Sequence, residues 1–446
     1  MLAGTLAASV LFLAPTSRAG PLPVAHPAPL PAPLPADPVL ARLIDESLRA
    51  RPELASAESL VRAERQRIPQ AGALPDPMFQ IGIQNDGFTS IEIGKQGTSF
   101  VSFMAQQTFP WPGKRDLRAE MVAIGAVVAK AQVTRARLSA EADVRRAYID
   151  LLLAHEHLGL HGRLDGLLGH SAEVARILYE TGKAPQSDVL RAELELLRNR
   201  QRHLAYMGIV RAREQTLNRL RARPLDEPIA VNTKLSDLPA PSSLEGQFST
   251  ARALGKSPEL EAARLEIART GKAVSLAGKG YYPDLTVGAG LMVRGQLPPM
   301  WAVTVGAPVP VFSGDKQSRA VVEGRAREEA ARKTAAAFEQ VVRLRSAERH
   351  TAFVALLRIL DVYARGLLTQ SEATAESTLT QYKVGRVPLA SVLEASTGAV
   401  ADTRDYLEAL AAAHRLLISE AEVSLSETTA PGDPRGTTAA ASTEGM

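Results

Sequence analysis

Tyr179-Glu180-Thr181-Gly182-Lys183-Ala184-Pro185-Gln186-Ser187-Asp188-Val189-Leu190-Arg191-Ala192 recurs later in the chain as Tyr382-Lys383-Val384-Gly385-Arg386-Val387-Pro388-Leu389-Ala390-Ser391-Val392-Leu393-Glu394-Ala395. Tyrosine, glycine, a basic residue, proline, valine, leucine and alanine agree without a gap, at an offset of 203. Each copy follows a long stretch of strong helix formers and precedes another. Glycine is suited to the left-handed residue that ends a helix, and a proline just beyond forbids continuation. Each copy therefore reads as the tip of a helical hairpin, near 179–188 and 382–391.

Working outward, further landmarks pair in the same order. Arg51-Pro52-Glu53-Leu54 answers Ser257-Pro258-Glu259-Leu260, Pro75-Asp76 answers Pro283-Asp284, and Pro110 answers Pro310. The chain is a tandem duplication. The first repeat covers 39–229, a connection covers 230–257, and the second repeat covers 258–428 with a lead-in from about 245.

No proline occurs from Lys114 to Ala184, from Gln186 to Arg223, from Val311 to Val387 or from Leu389 to Ala430. Proline breaks helix interiors, so each window is predicted to be one helix or a nearly continuous stack. A helix from Lys114 to Glu180 would be ~100 Å long. Such rods must pack side by side, and against copies from other subunits. Leu117, Met121, Ile124, Val128 and Ala131 recur at coiled-coil spacing, as do Ala352, Leu356, Ile359 and Tyr363. Gly159, Gly162, Gly166 and Gly169 fall on one stripe, which predicts close helix approach or a local break.

Each repeat also carries a strand-like pair, at 77–110 and 284–312. Phe79, Ile81 and Ile83 alternate with glutamines and glycine; Val101, Phe103 and Ala105 with Ser102, Met104 and Gln106. Leu285 to Val293 and Trp301 to Val309 do the same, one face apolar and the other mostly small or polar. A tilted strand of about 9–11 residues crosses a bilayer's hydrocarbon zone. Trp111 and Trp301 are expected at strand ends, where interfacial aromatics sit. An ordinary soluble sandwich is the other reading. Four strands cannot close a membrane barrel, since about eight is the smallest common size. A membrane role therefore demands oligomers: two copies give eight strands and a filled lumen, three give twelve and a channel.

The ends read differently. Leu6 to Ala14 is apolar but too short to span, and Ser17-Arg18-Ala19 offers small residues where a signal peptidase reads. Residues 1–19 are expected to be a signal peptide, although no basic residue precedes the run; a disordered tail is the alternative. Residues 20–38 form a proline-rich linker and 429–446 a disordered tail. The 446 residues contain no cysteine, which excludes disulfides, thiolate metal sites and cysteine nucleophiles. The net charge of +4 comes from basic residues dispersed among acidic ones, which argues against nucleic-acid binding.

Taken together, the duplicated tips followed by Val-Leu, the Leu74-Pro75-Asp76-Pro77 lead-in and the Phe109-Pro110-Trp111-Pro112-Gly113-Lys114-Arg115 motif resemble the TolC family of outer-membrane efflux channels. The two motifs are most similar to its heavy-metal branch. The resemblance covers about residues 39–428. It implies a mainly α protein with membrane β structure: a homotrimer whose long α-helical hairpins build a periplasmic α-barrel, and whose four strands per chain build one 12-stranded outer-membrane β-barrel. An equatorial region is implied around 224–257. The implied partners are a periplasmic adaptor (membrane fusion protein), an inner-membrane pump of the resistance-nodulation-division (RND) type and outer-membrane lipid. With no cysteine to lipidate, anchoring would rest on the barrel.

The resemblance also implies a periplasmic gate where helices begin after the tips. The matching positions are Ser391 and Glu394 in the second repeat, Asp188 and Arg191 in the first. Asp188 and Tyr382 are expected to hydrogen-bond and tie the hairpins shut, with helix capping by Asp188 and Ser187 as the plainer role. Ser391 and Arg191 depart from the family's acidic pattern, so a less acidic gate is expected. Thr181, Gly182, Lys183, Val384, Gly385 and Arg386 are the expected adaptor contacts.

Other chemistry is missing from the pattern. His155, His157, His161 and His170 cluster, and His157 with His161 has the i, i+4 spacing of a ligand pair. No matching carboxylate set accompanies them, so solvated helix-face histidines are expected rather than a metal site. No nucleophile–base set or phosphate loop appears, so no enzyme activity and no cofactor are expected. The competing class is a periplasmic structural or adaptor coiled coil.

Overall fold

The computed structural model describes residues 37–426. The expected signal peptide, nearly all of the proline-rich linker and the C-terminal tail lie outside these residues. The first repeat opens with α1 (Pro38–Ala50) and α2 (Pro52–Gly72), continues into β1 (Met78–Gln84) and β2 (Phe100–Phe109), and ends in α3 (Lys114–Glu180) and α4 (Gln186–Leu220). After a connection with two short helical turns come α5 (Thr250–Lys256), α6 (Pro258–Gly278), β3 (Leu285–Arg294) and β4 (Leu297–Gly306). The second long rod is α7 (Gln317–Val362), a π turn at Tyr363–Leu367 and α8 (Leu368–Lys383); α9 (Leu389–Glu422) returns from the tip. Prolines at the starts of α1, α2 and α6 occupy positions where a helix leaves its N–H groups unused. The last linker residue, Pro38, belongs to α1, which Asp37 caps by accepting from Val39 N at 2.8 Å.

Helix α3 runs 67 residues without interruption. Its counterpart in the second repeat is divided by the π turn, which inserts one residue into the helical repeat. Both rods stop in the same way. Gly182 and Gly385 are left-handed, at φ 70° and 73°. The N–H of Lys183 donates to Leu178 O at 2.7 Å and that of Arg386 to Gln381 O at 2.9 Å, the long bond that closes a helix C-terminus.

The main core lies around the middle of the rods. Tyr148, Ile149, Leu151 and Leu152 of α3 meet Phe353 and Leu356 of α7, Ala411 and Leu417 of α9, Leu40 and Leu43 of α1, and Ile229, Leu235 and Leu238 of the connection. A buried ionic knot secures the end of α9 beside it. Arg349 donates to Glu420 at 2.8 Å and to Ser424 O at 2.7 Å, and Arg135 reaches Glu422 O at 3.0 Å and Val423 O at 3.1 Å.

Several expectations are corrected here. In the second rod Ile359 is exposed, while Phe353 and Leu360 join Ala352 and Leu356 in the interior, so the seam is shifted from the one expected. The glycine stripe does not break α3, and only Gly162 has a neighbour among the described residues, His203 Cε1 at 3.8 Å from a Cβ placed there; at Gly159, Gly166 or Gly169 a Cβ would meet nothing within 4 Å. Strand β4 starts at Leu297 and ends at Gly306, short of Val309. Trp301 consequently stands in mid-strand, opposite Leu291, rather than at a strand end.

Candidate functional site

Two regions carry the features a function needs: the sheet and the hairpin tips. The four strands form one antiparallel sheet in the order β1-β2-β3-β4. Its register lines Ile81, Phe103, Leu291 and Trp301 in one cross-strand row, and Phe79, Ala105, Ala289 and Val303 in the next. Ile83, Val101 and Val293 continue the same face. The opposite face carries the rows Gln80, Met104, Gly290, Ala302 and Met78, Gln106, Gly288, Thr304. It is crowded: a Cβ at Gly290 would fall 2.2 Å from Met104 Sδ, and one at Gly288 would fall 2.5 Å from Thr304 Oγ1.

Among the described residues nothing covers the apolar face. Phe79 is 78% exposed and Trp301 79%, with Ile81, Ile83, Val303 and Val305 comparably bare. Water penalises a contiguous apolar surface of this kind. The only charged residue on the four strands is Arg294, at the end of β3, where it donates to Pro298 O and Gly97 O. A sheet whose single charge lies at a strand end, with one bare apolar face and one small or polar face, matches the lipid and lumen sides of a membrane barrel wall. Its outer strands, β1 and β4, keep open edges. Among the described residues no helix is long and apolar enough to cross a membrane.

At the other end, both hairpins share one small core of Leu164, Leu168, Ala192, Leu379, Tyr382, Leu389 and Val392. Tyr382 is 3% exposed, and its hydroxyl donates to Asp188 Oδ2 at 3.3 Å, joining the end of α8 to the start of α4. Burial, with the Asp188 carboxylate beside it, pushes the phenol up to about 12. Neither Asp188 nor Ser187 caps α4, whose cap position is Pro185. Ser391 is half-buried, and Glu394 and Arg191 are exposed. Thr181, Gly182, Lys183, Val384, Gly385 and Arg386 are all exposed on the two tips. Thr181 Oγ1 donates back to Ile177 O at 2.9 Å.

Of the four histidines expected to be solvated, His155 and His170 are exposed and the other two are not. His157 and His161 are buried between α3 and α4. The ring of His161 lies 2.8 Å from Asn199 Oδ1 and stacks on Tyr206. Burial, then the neighbouring His161 and Arg404, hold His157 down at about 4. Among the described residues no group of three or more potential ligands is placed to hold a metal.

One cluster was not anticipated. Lys114 Nζ donates to Asp284 Oδ1 at 2.7 Å and to Tyr282 O at 2.8 Å, Trp111 N donates to the same carboxylate oxygen at 2.8 Å, and Trp111 stacks on Tyr282 at 5.0 Å. Both sequence motifs were visible in the chain; their mutual contact was not.

The model of the outer membrane efflux protein family matches residues 43–222 and 250–424, one segment per repeat. Solved structures share the fold at low identity. The open-state outer-membrane channel MtrE of Neisseria gonorrhoeae is 16% identical, with a TM-score of 0.71 over 86% of this chain and 88% of that one. The outer membrane protein VceC of Vibrio cholerae gives 17%, 0.68, 86% and 95%. CusC, described as forming a transmembrane channel, gives 15%, 0.73, 87% and 92%. No curated protein sequence matches significantly. With a family match across both repeats, the chain belongs to the outer membrane efflux protein family, an efflux channel of the outer membrane that extends into the periplasm.

Proposed function

We propose that three copies of this chain close one twelve-stranded barrel in the outer membrane and one helical tunnel beneath it, forming the exit duct of a tripartite efflux system. The observation that carries this reading is the bare, uncharged apolar face on a sheet with two open edges. Lipid satisfies the face, and neighbouring copies satisfy the edges. In this reading the duct is passive. A periplasmic adaptor meets the exposed tips Thr181–Lys183 and Val384–Arg386, and an inner-membrane RND pump supplies cargo. The 74–77 and 109–115 motifs, most similar to the heavy-metal branch, put heavy-metal cations first as that cargo.

The Asp188–Tyr382 hydrogen bond holds the two hairpins together in the closed state. Glu394 at the start of α9, with Ser391 and Arg191 at the matching positions, sets a gate field less acidic than two carboxylate rings would. The rival reading, a periplasmic coiled-coil protein, leaves the apolar face in water. Membrane fractionation and planar-bilayer recording test the choice. A heat-modifiable outer-membrane oligomer that conducts ions supports the duct, and a soluble, non-conducting periplasmic species rejects it.

A further inference from the structure

The contact between Lys114, Trp111, Tyr282 and Asp284 sits where β2 and β3 leave the sheet. There, residues that follow the second strand of one repeat grip residues that precede the first strand of the other. The duplication delivers the same two pieces of sequence to the free edges. Ahead of β1 stands Leu74-Pro75-Asp76, matching Tyr282-Pro283-Asp284 ahead of β3. Behind β4 stands Val309-Pro310-Val311-Phe312, matching Phe109-Pro110-Trp111-Pro112 behind β2. Lys316 precedes α7 as the N-cap, much as Lys114 opens α3.

At the free edges, among the described residues, these pieces find no such grip; Pro75 O accepts from Gln107 Nε2 at 2.8 Å, but the side chains stay open. Leu74 is 41% exposed, Val311 73% and Phe312 75%. The side chains of Asp76 and Lys316 are exposed and, among the described residues, make no hydrogen bond or ion pair. Strand direction matches as well. β2 and β3 are antiparallel neighbours, and β4 would meet β1 of a second copy in the same sense.

We propose that the occupant of this edge is a second copy of the chain, and that Asp76 of one copy pairs with Lys316 of the next while Leu74 is covered by Val311 and Phe312. The junction repeats between copies what Lys114–Asp284 and Trp111–Tyr282 do within one. It rests on the three-copy reading above and adds to it a specific ionic and apolar lock at the base of the sheet. Opposite charges at each junction, and like charges if two Asp76 or two Lys316 edges meet, also select the head-to-tail arrangement that closes a ring.

Charge reversal tests the ionic part in the full-length protein. Asp76→Lys and Lys316→Asp are each expected to lower the temperature at which the detergent-solubilised oligomer dissociates, and the double variant to recover most of the loss. The apolar part is tested by Leu74→Cys with Phe312→Cys. Because the chain has no cysteine of its own, oxidation should yield covalent dimers and trimers from the pair, and no trimers from either single variant. Additive losses in the double reversal, together with no cross-linking in an intact trimer, overturn the lock while leaving the three-copy reading standing. A wild-type protein that is monomeric by light scattering overturns both.

Discussion

Asp188 and Tyr382 lie 194 positions apart and yet touch, because Tyr382 ends the rod before one tip, Asp188 opens the helix after the other, and the two tips correspond. That correspondence made the pair legible in the sequence. A proposed latch of one hydrogen bond is worth about 1 kcal/mol net, more where the acceptor is charged, so its loss should shift a gate rather than unfold a hairpin. Asp188→Ala and Tyr382→Phe are each expected to raise single-channel conductance above the closed level in planar bilayers. Conductance unchanged in both variants would contradict the latch.

The histidines show the opposite case. His157 and His414 sit in helices whose alanine-rich faces give little contrast between inside and outside, so burial was not legible. Both are buried and held down at about 4, His414 by burial alone, and neither His414 ring nitrogen has a hydrogen-bond partner among the described residues. Their folded-state values lie below the ordinary 6.5. The unfolded chain therefore binds protons that the folded chain refuses, and stability present above about pH 6.5 is lost as pH falls toward 4. Each site is expected to cost on the order of 3 kcal/mol across that window. Thermal unfolding of His414→Leu against wild type between pH 4 and 7 should show a shallower acid loss in the variant; parallel curves would contradict this.

Among the elements, the strands were read from period two and the rods from the absence of proline. Both signals are local and strong. What escaped was set by packing between elements: the shifted seam at Phe353 and Leu360 and, across the duplication, the grip of Lys114 on Asp284; the π turn that divides the second rod escaped as well. The two sides of β1 differ enough to be tested at adjacent positions. Ile81→Arg places a charge on the apolar face and is expected to cost about 2–4 kcal/mol near the bilayer midplane, whereas Gln80→Arg, on the polar face, should cost far less. Urea unfolding of the protein reconstituted in lipid vesicles measures both, and equal costs would count against the assignment of faces.

For the whole molecule, the duplicated architecture presents lipid-facing strands at one end and paired tips at the other, and the family match spans both repeats. The tips and the tandem division were legible from composition and spacing. The packing of the connection against the centre of α3, α7 and α9 was not, because Ile229, Leu235 and Leu238 are too few to show a period. The claim on which the account turns is that the face bearing Trp301 lies in hydrocarbon. The chain has two tryptophans, and Trp111→Phe, which keeps a ring against Tyr282, leaves Trp301 as the sole reporter. In vesicles of lipid brominated along the acyl chain, the account predicts strong quenching of Trp301 fluorescence and little effect of aqueous iodide. Quenching by iodide with no response to the brominated lipid would contradict it.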